Sequence, residues 1–386
     1  MNKIFKVIWS KSKQCYIVVS EMAKNHSGKK KIVVASILAT MAVGSGAITN
    51  MVDAAGEVSQ GGGNPKTPGS IAIGYGSVSD GTVIHGDGST TVQPSIAIGV
   101  GAKSMGNSSV SVGQGAQVLG YSYSVAVGRS SEANGDYGVS VGYNTRAKLH
   151  GIAMGEQARA MKEGATTFGV SSRGYGNGSI AIGWQSLAGA NVYDEDGKPG
   201  PDINQDPEKT ISDYNKWGDT AIGIRAVATG GNALALGRSA TAKAANAVAI
   251  GGGNGSSYTD NTEKTEATAE KAVAIGYKTE ASAVSSVALG TSAVSGGENG
   301  VAIGNDAQAQ TANTIAVGSS SRAENANDSA FGNAAKATGG GATAIGYTVT
   351  TSGNQAFGAG SNSEVSGAGA VGIGYKVKAS GNRAIS

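Results

Sequence analysis

Few side chains in this sequence of 386 residues combine a reactive type with a useful spacing. Histidine is the usual general base near neutral pH, and beyond residue 31 the chain has only His85 and His150. No serine, cysteine or carboxylate stands at a recognised catalytic spacing from either histidine. We therefore predict that the protein is not an enzyme and that it uses no cofactor.

An acidic stretch is the next candidate for chemistry, because carboxylates are the ligands that calcium prefers. It lies in the least repetitive part of the chain, residues 184–218, and contains Asp194, Asp196 and Asp202. The twelve-residue spacing of a calcium-binding loop is absent. We therefore predict no metal site here.

Two tryptophans, Trp184 and Trp217, stand at the ends of the same stretch. Exposed aromatic side chains anchor protein interfaces, so one interpretation is a projecting loop that contacts a ligand. The alternative is an ordinary surface insertion whose tryptophans cap the fold.

The element that must position these side chains is a five-residue pattern that recurs nineteen times. It reads variable, large apolar, small, large apolar, glycine, as in Ser-Ile-Ala-Ile-Gly at 70–74. Thirteen of the eighteen intervals between repeat glycines are fourteen residues long, and such regularity is typical of a stacked solenoid. The repeat glycines for which we predict a structural role include Gly74, Gly99, Gly113, Gly128, Gly183, Gly223, Gly276, Gly304, Gly346 and Gly374.

Alternation of large and small residues before each glycine predicts a short strand. One face of this strand carries Val, Ile or Leu, and the other carries only Ala, Ser, Thr or Gly, such as Ala72 and Ser111. A face of small residues lets another backbone approach closely. We expect the large side chains to fill the inside of the coil and the small face to pack against another chain.

A second alternation follows each glycine and predicts a second, half-buried strand with a charged side facing solvent. Small or β-branched residues stand three and five positions after the glycine. The row between them could contact an acidic or collagenous ligand, or it could be an ordinary solvated face. Its basic members are Lys103, Arg146, Arg159, Arg173, Arg322, Lys336 and Lys378.

Two strands and two turns in fourteen residues predict an all-β fold, a parallel β-roll in which each coil adds about 4.8 Å. One coil cannot bury its apolar face alone, so stability comes from its neighbours. Because the core is thin and one flank is left uncovered, we expect several copies to associate, most simply as a closed ring.

Charge and cysteine content separate the N-terminus from the rest. The formal net charge is +3, but residues 1–31 contain eight lysines and a single acid, Glu21, so the remainder is slightly acidic. Nothing in it indicates nucleic-acid binding. The only cysteine, Cys15, lies in the same N-terminal region. A basic segment followed by an apolar run at 32–48 predicts an export signal with cleavage near residues 54–55.

Two separate features resemble the trimeric autotransporter adhesins. Residues 2–9, Asn-Lys-Ile-Phe-Lys-Val-Ile-Trp, and 20–24, Ser-Glu-Met-Ala-Lys, resemble the extended signal-peptide region of type V secretion. The fourteen-residue repeat is similar to the YadA-like head. The resemblance implies a left-handed β-roll, a homotrimer, and attachment to host surfaces or to matrix proteins such as collagen.

Domain organisation follows from the repeat and from the resemblance. A complete family member continues into a coiled-coil stalk and a β-barrel anchor in the outer membrane, and we find neither pattern. We expect display at the cell surface in the complete family member, and a secreted or periplasmic location if this chain is complete. The expected organisation is a cleaved extended signal peptide over 1–54, a linker over 55–69, and head repeats over 70–386 with insertions near 75–94, 184–218 and 252–271, without stalk or anchor.

The function we predict is that of a non-enzymatic adhesin head that attaches a bacterium to host cells, extracellular matrix or other cells by multivalent binding. A structural surface-layer or biofilm matrix protein without a specific ligand is the alternative. An acyltransferase helix is disfavoured because it repeats every six residues. An ice-binding solenoid would need one outward residue type, and a calcium-dependent roll would repeat Gly-Gly-x-Gly-x-Asp.

Overall fold

The computed structural model describes residues 5–10, 15–20, 51–52, 58–120, 122–189, 218–253 and 263–386. The chain divides into two units, Met1–Ala47 and Ile48–Ser386. In the first unit, Phe5–Ser10 and Cys15–Ser20 pair as an antiparallel hairpin. The apolar run at residues 32–48 lies outside the described residues.

The second unit is a solenoid of two parallel sheets, and its described residues contain strands and turns but no helix. The strand before each repeat glycine belongs to the first sheet. Its strands are Val58–Gln60, Ile71–Ile73, Ile96–Ile98, Val110–Val112, Val125–Val127, Val139–Val141, Ile152–Met154, Thr166–Phe168, Ile180–Ile182, Thr220–Ile222, Leu234–Leu236, Val248–Ile250, Val273–Ile275, Val287–Leu289, Val301–Ile303, Ile315–Val317, Ser329–Phe331, Thr343–Tyr347, Phe357–Ser361 and Val371–Tyr375.

The strand after each repeat glycine belongs to the second sheet. Its strands are Asn64–Pro65, Val78–Ser79, Lys103–Ser104, Gln117–Val118, Glu132–Ala133, Arg146–Ala147, Arg159–Ala160, Arg173–Gly174, Leu187–Ala188, Val227–Ala228, Thr241–Ala242, Glu266–Ala267, Glu280–Ala281, Val294–Ser295, Gln308–Ala309, Arg322–Ala323, Lys336–Ala337, Thr350–Thr351, Glu364–Val365 and Lys378–Ala379.

Each strand pairs in parallel with its counterpart one coil later, in register. Val301 lies beside Ile315, fourteen residues on, and Gln308 lies beside Arg322. The ladder also continues across the long interruption, because Ile180 pairs with Thr220. The predicted β-solenoid of about fourteen-residue coils is therefore confirmed.

Two further antiparallel strand pairs lie near the N-terminal end of the solenoid. Met51–Val52 pairs antiparallel with the strand Val58–Gln60. Thr82–Ile84 and Thr90–Val92 form an antiparallel hairpin between the second strand of one coil and the first strand of the next.

The interior of the coil is built almost entirely from small side chains. Ala302 of the first sheet, Ala309 of the second sheet and Ala307 just before the second-sheet strand are fully buried, and the same positions are buried in nearly every coil. The large side chains of the first sheet, such as Val301 and Ile303, lie on the outer side and stay partly exposed. The expected assignment of the two faces was therefore wrong. The two sheets lie so close together that methyl and hydroxymethyl groups fill the space between them.

Local exceptions show how tight this interior is. Val365 is a large interior residue of the second sheet, and the facing first-sheet positions of the two adjacent coils are Gly358 and Gly372. A Cβ on Gly372 would lie 2.7 Å from Cγ2 of Val365, and one on Gly358 would lie 3.1 Å from the same atom. Around Val365, the first sheet therefore carries glycine in place of a residue with a side chain, which keeps the interior volume nearly constant.

Three positions in a typical coil adopt left-handed backbone conformations. The repeat glycine itself is one, with φ near +135° at Gly304. Asp306 in the first turn and Asn313 in the second have φ of 53° and 56°, the region that Asn and Asp tolerate best. These two turns reverse the chain twice per coil and hold both strands in register.

Candidate binding surfaces

The outer side of the first sheet carries a row of large, partly exposed apolar side chains. We call this surface the first-sheet outer face and define it by the side chains at positions three and one before each repeat glycine. Among them, Phe168 is 38% exposed, Leu236 is 40% exposed and Ile373 is 61% exposed. Soluble monomers rarely expose apolar patches of more than a few hundred Å², so this face has the composition of an interface.

The repeat glycines lie along the edge of this face and let adjacent coils approach closely. A Cβ on Gly304 would lie 2.4 Å from the carbonyl oxygen of Gly318 in the next coil. No side chain fits there, and the positive φ independently favours glycine. The same positive φ, between 118° and 140°, occurs at Gly74, Gly99, Gly113, Gly128, Gly183, Gly223, Gly276, Gly304, Gly346 and Gly374.

Three of the predicted contact residues are brought together on the outer side of the second sheet. Arg146, Arg159 and Arg173 occupy matching positions on three successive strands, with Arg146 beside Arg159 and Arg159 beside Arg173. We call them the arginine column. Burial lowers the pKa of Arg159, the positive field of Arg146 lowers it further, and burial also lowers the pKa of Arg173.

The two predicted tryptophans have different outcomes. Trp184 lies in the turn directly after Gly183, half-buried, with the guanidinium carbon of Arg225 5.3 Å from its ring centroid. It therefore belongs to the regular coil and stacks with a cation from the following coil. Trp217 and the aspartates Asp194, Asp196 and Asp202 lie outside the described residues.

The two histidines lie on the surface, in separate turns. Nε2 of His85 is 2.6 Å from Oγ1 of Thr91 within the projecting hairpin. Nδ1 of His150 is 3.6 Å from Oε1 of Glu163. In the described ranges, no group of three or more His, Cys, Asp or Glu side chains is arranged to hold a metal ion.

An aromatic stack on the second turn was not anticipated from the sequence. The rings of Tyr123 and Tyr137 are 5.4 Å apart, and those of Tyr137 and His150 are 5.3 Å apart. All three residues have positive φ, which is unusual for bulky side chains. Their spacing of fourteen and thirteen residues places them in neighbouring coils, so the stack could have been predicted from the sequence. It was missed because the third residue is a histidine and the first two are tyrosines.

Two buried carboxylates were also missed. Asp328 is fully buried just before a first-sheet strand. Its Oδ1 accepts a hydrogen bond from the amide of Ala342 at 2.8 Å, and its Oδ2 accepts one from the amide of Asn325 at 2.9 Å. At Asp219 a single oxygen, Oδ1, accepts hydrogen bonds from the amides of both Gly231 and Ala233, each at 2.8 Å. Both aspartates stand four residues before a repeat glycine, where most coils have Ser, Ala or Gly. An aspartate at this position departs from the repeat, and that departure could have identified both residues from the sequence.

Comparison with protein families adds two matches. Residues 1–49 match the extended signal peptide of the type V secretion system. The YadA head domain repeat matches residues 93–116, 122–145, 218–238, 228–254, 267–293, 295–321 and 323–348. No curated protein matches the chain. The part of the chain that the structure describes has no helix that is long and apolar enough to cross a membrane.

Proposed function

Because this chain belongs to the trimeric autotransporter adhesins, with their extended signal peptide and YadA head repeats, we propose that its solenoid is a non-enzymatic adhesin head. The head acts as a homotrimer that is exported and displayed at the cell surface. It attaches the bacterium to host cells, to extracellular matrix such as collagen, or to other cells.

The observation that carries this proposal is the repetition of outward side chains along the solenoid. Every coil presents the same positions on both sheets, in register with the coil before it. A ligand that is itself repetitive can therefore be held at many weak contacts at once, and linked contacts gain affinity through their high effective concentration. A rigid repeated surface suits attachment, whereas catalysis needs one converging set of groups.

Trimer formation is supported by the first-sheet outer face. YadA heads are homotrimeric as a family, and in a single chain the large apolar side chains of this face remain partly exposed to water. Burial of apolar surface contributes about 25 cal/mol per Å², so covering this face with two other copies stabilises the assembly. Three copies also triple the number of ligand-binding surfaces around the axis.

Solid-phase binding tests the proposed function. The full chain is applied to immobilised collagens, fibronectin and laminin, with an inert protein as reference. We expect saturable binding to at least one matrix protein, and weaker binding by a variant that does not assemble. Binding to every matrix protein at the level of the inert reference, with the chain folded, would contradict the adhesin proposal and favour a purely structural surface protein.

A further inference from the structure

The charges on the second sheet are arranged unevenly along the solenoid. The outer row of the second sheet continues beyond the arginine column toward the C-terminus. There, each basic side chain of the row lies near a carboxylate from a neighbouring coil or turn. Arg322 lies 3.7 Å from Asp306, and Lys336 lies 3.1 Å from Glu324. These pairs neutralise the row locally.

The arginine column differs from these pairs. Arg146 alone has an acidic partner, with its Nε 3.4 Å from Oε2 of Glu132. Arg159 donates from Nη1 to the backbone oxygen of Asn144 at 3.0 Å. Among the described residues, no carboxylate lies within ion-pair distance of Arg159 or Arg173.

Within the described residues, the chain therefore bears two adjacent, partly buried positive charges that have no ion-pair partner. Taking a charge out of water is costly unless an opposite charge or hydrogen bonds compensate it. Two lysines lie close to the column in the sequence: Lys148 follows Arg146 by two residues, and Lys162 follows Arg159 by three. Burial lowers the pKa of Lys162, and the field of Lys148 lowers it further. A bound anion is the simplest compensation.

We propose that the arginine column binds a sulfated linear polysaccharide, with successive sulfate groups placed across the guanidinium groups of neighbouring coils. This inference rests on the adhesin function proposed above and names the chemistry of one ligand. Guanidinium groups bind oxyanions through two parallel hydrogen bonds. Neighbouring strands are about 4.8 Å apart, so the column is a straight row that fits a thin extended chain.

The shape and surroundings of the column favour a polysaccharide over other polyanions. The column spans three strands and ends where Leu187 lies beside Arg173 on the next strand, whereas nucleic acids and anionic membranes require broad basic surfaces. The chain beyond its basic N-terminus is slightly acidic and would repel a wide polyanionic surface.

Heparin binding by the full chain tests the proposal. The variant Arg159→Gln with Arg173→Gln removes the two uncompensated charges, and Arg322→Gln removes a paired charge from the same row. We expect the double variant to bind heparin about tenfold to a hundredfold more weakly, at lower eluting salt, and Arg322→Gln to stay within about twofold of the wild type. Arg159→Lys with Arg173→Lys should lie between, because the charge remains but the bidentate geometry is lost.

Thermal melting without ligand distinguishes a lost site from a lost fold. Since Arg159 and Arg173 are desolvated and repel one another, the double glutamine variant should melt at the same temperature as the wild type or higher. Desulfated heparin should bind the wild type much more weakly than heparin does. Duplex DNA and vesicles that contain phosphatidylserine serve as the competing polyanions.

Several results would overturn the proposal. These are equal heparin binding by the wild type and the double glutamine variant, equal binding of desulfated heparin, or binding of DNA or vesicles as tight as that of heparin. If heparin binding fails while matrix proteins are still bound, only this inference falls. If the chain binds neither heparin nor any matrix protein, the adhesin proposal falls with it.

Discussion

At the scale of single residues, the repeat is held by backbone geometry more than by side-chain contacts. Gly304 combines a φ of +135° with a distance of 2.4 Å from its virtual Cβ to the next coil. Gly296, eight residues earlier, has neither property: the nearest atom to its virtual Cβ is 3.6 Å away. The two glycines therefore form a matched pair.

Gly304→Ala should destabilise the solenoid by about 3 kcal/mol, because alanine combines backbone strain with a steric clash. Gly296→Ala should be neutral or slightly stabilising, since alanine has less freedom than glycine in the unfolded chain. Urea unfolding followed by circular dichroism measures both. Equal stability of the two variants would show that the repeat glycines have no steric role.

Asp328 offers a second test at this scale, because its two carboxylate oxygens accept hydrogen bonds from two backbone amides. Asp328→Asn keeps the shape but turns an amide N–H towards a buried N–H. It should destabilise the fold by about 1–3 kcal/mol. Asp306→Asn, at a solvent-exposed ion pair 3.7 Å long, should change stability by less than about 0.5 kcal/mol. Calorimetric melting compares the two, and a neutral Asp328→Asn would contradict the hydrogen-bonding role.

At the scale of the coil, the two strands share a fixed interior volume. The sequence predicted the period, the two strands and the outward row of Arg146, Arg159 and Arg173, because alternation and spacing are local properties. It did not predict which face of the first strand points inward. Alternation shows that large and small side chains lie on opposite faces, but it does not show which face is inside. The narrow space between the two sheets decides that Ala302 lies inside and Ile303 lies outside.

The arginine column could be predicted in part, because it too depends on the spacing of residues along the repeat. Register places equivalent positions side by side, so the arginine column follows from the repeat alone. Which charges have partners depends on turn conformation and on neighbouring coils, as at Arg322 and Asp306. The stack of Tyr123, Tyr137 and His150 was missed because residues of different type occupy one structural position.

Complementary volume inside a coil can be measured with a double-mutant cycle. Gly372→Ala should cost about 1–3 kcal/mol, since its new methyl group would lie 2.7 Å from Cγ2 of Val365. In a Val365→Ala background the same change should cost much less, with a coupling energy of about 1 kcal/mol or more. Denaturant melts of the four proteins give the coupling. Additive effects would mean that the two positions do not share one space.

At the scale of the whole molecule, the first-sheet outer face and the second-sheet outer row have different roles. The first is mainly apolar, and the second is mainly charged or polar. We assign the first to contacts between copies and the second to ligands. Ile303 lies on the first-sheet outer face, and Val294 lies in the outer row of the second sheet. Both are apolar and partly exposed, so they form a matched pair for testing the two roles.

Ile303→Lys should weaken assembly, because it places a charge in an apolar interface. The dissociation midpoint should shift by about tenfold or more in protein concentration. Val294→Lys should leave assembly unchanged, since Val294 lies beside Glu280 on the second sheet. Size-exclusion chromatography with light scattering over a dilution series measures both. Equal assembly of the two variants would mean that the first-sheet outer face is not the contact.

The central claim is that the apolar outer face is covered by other copies of the chain. Sedimentation equilibrium of the full chain tests it most directly, because it gives mass without assuming shape. We predict a mass three times the 38.0 kDa of one chain, together with a β-type circular dichroism spectrum. A folded species at the mass of a single chain, unchanged up to high protein concentration, would contradict the claim.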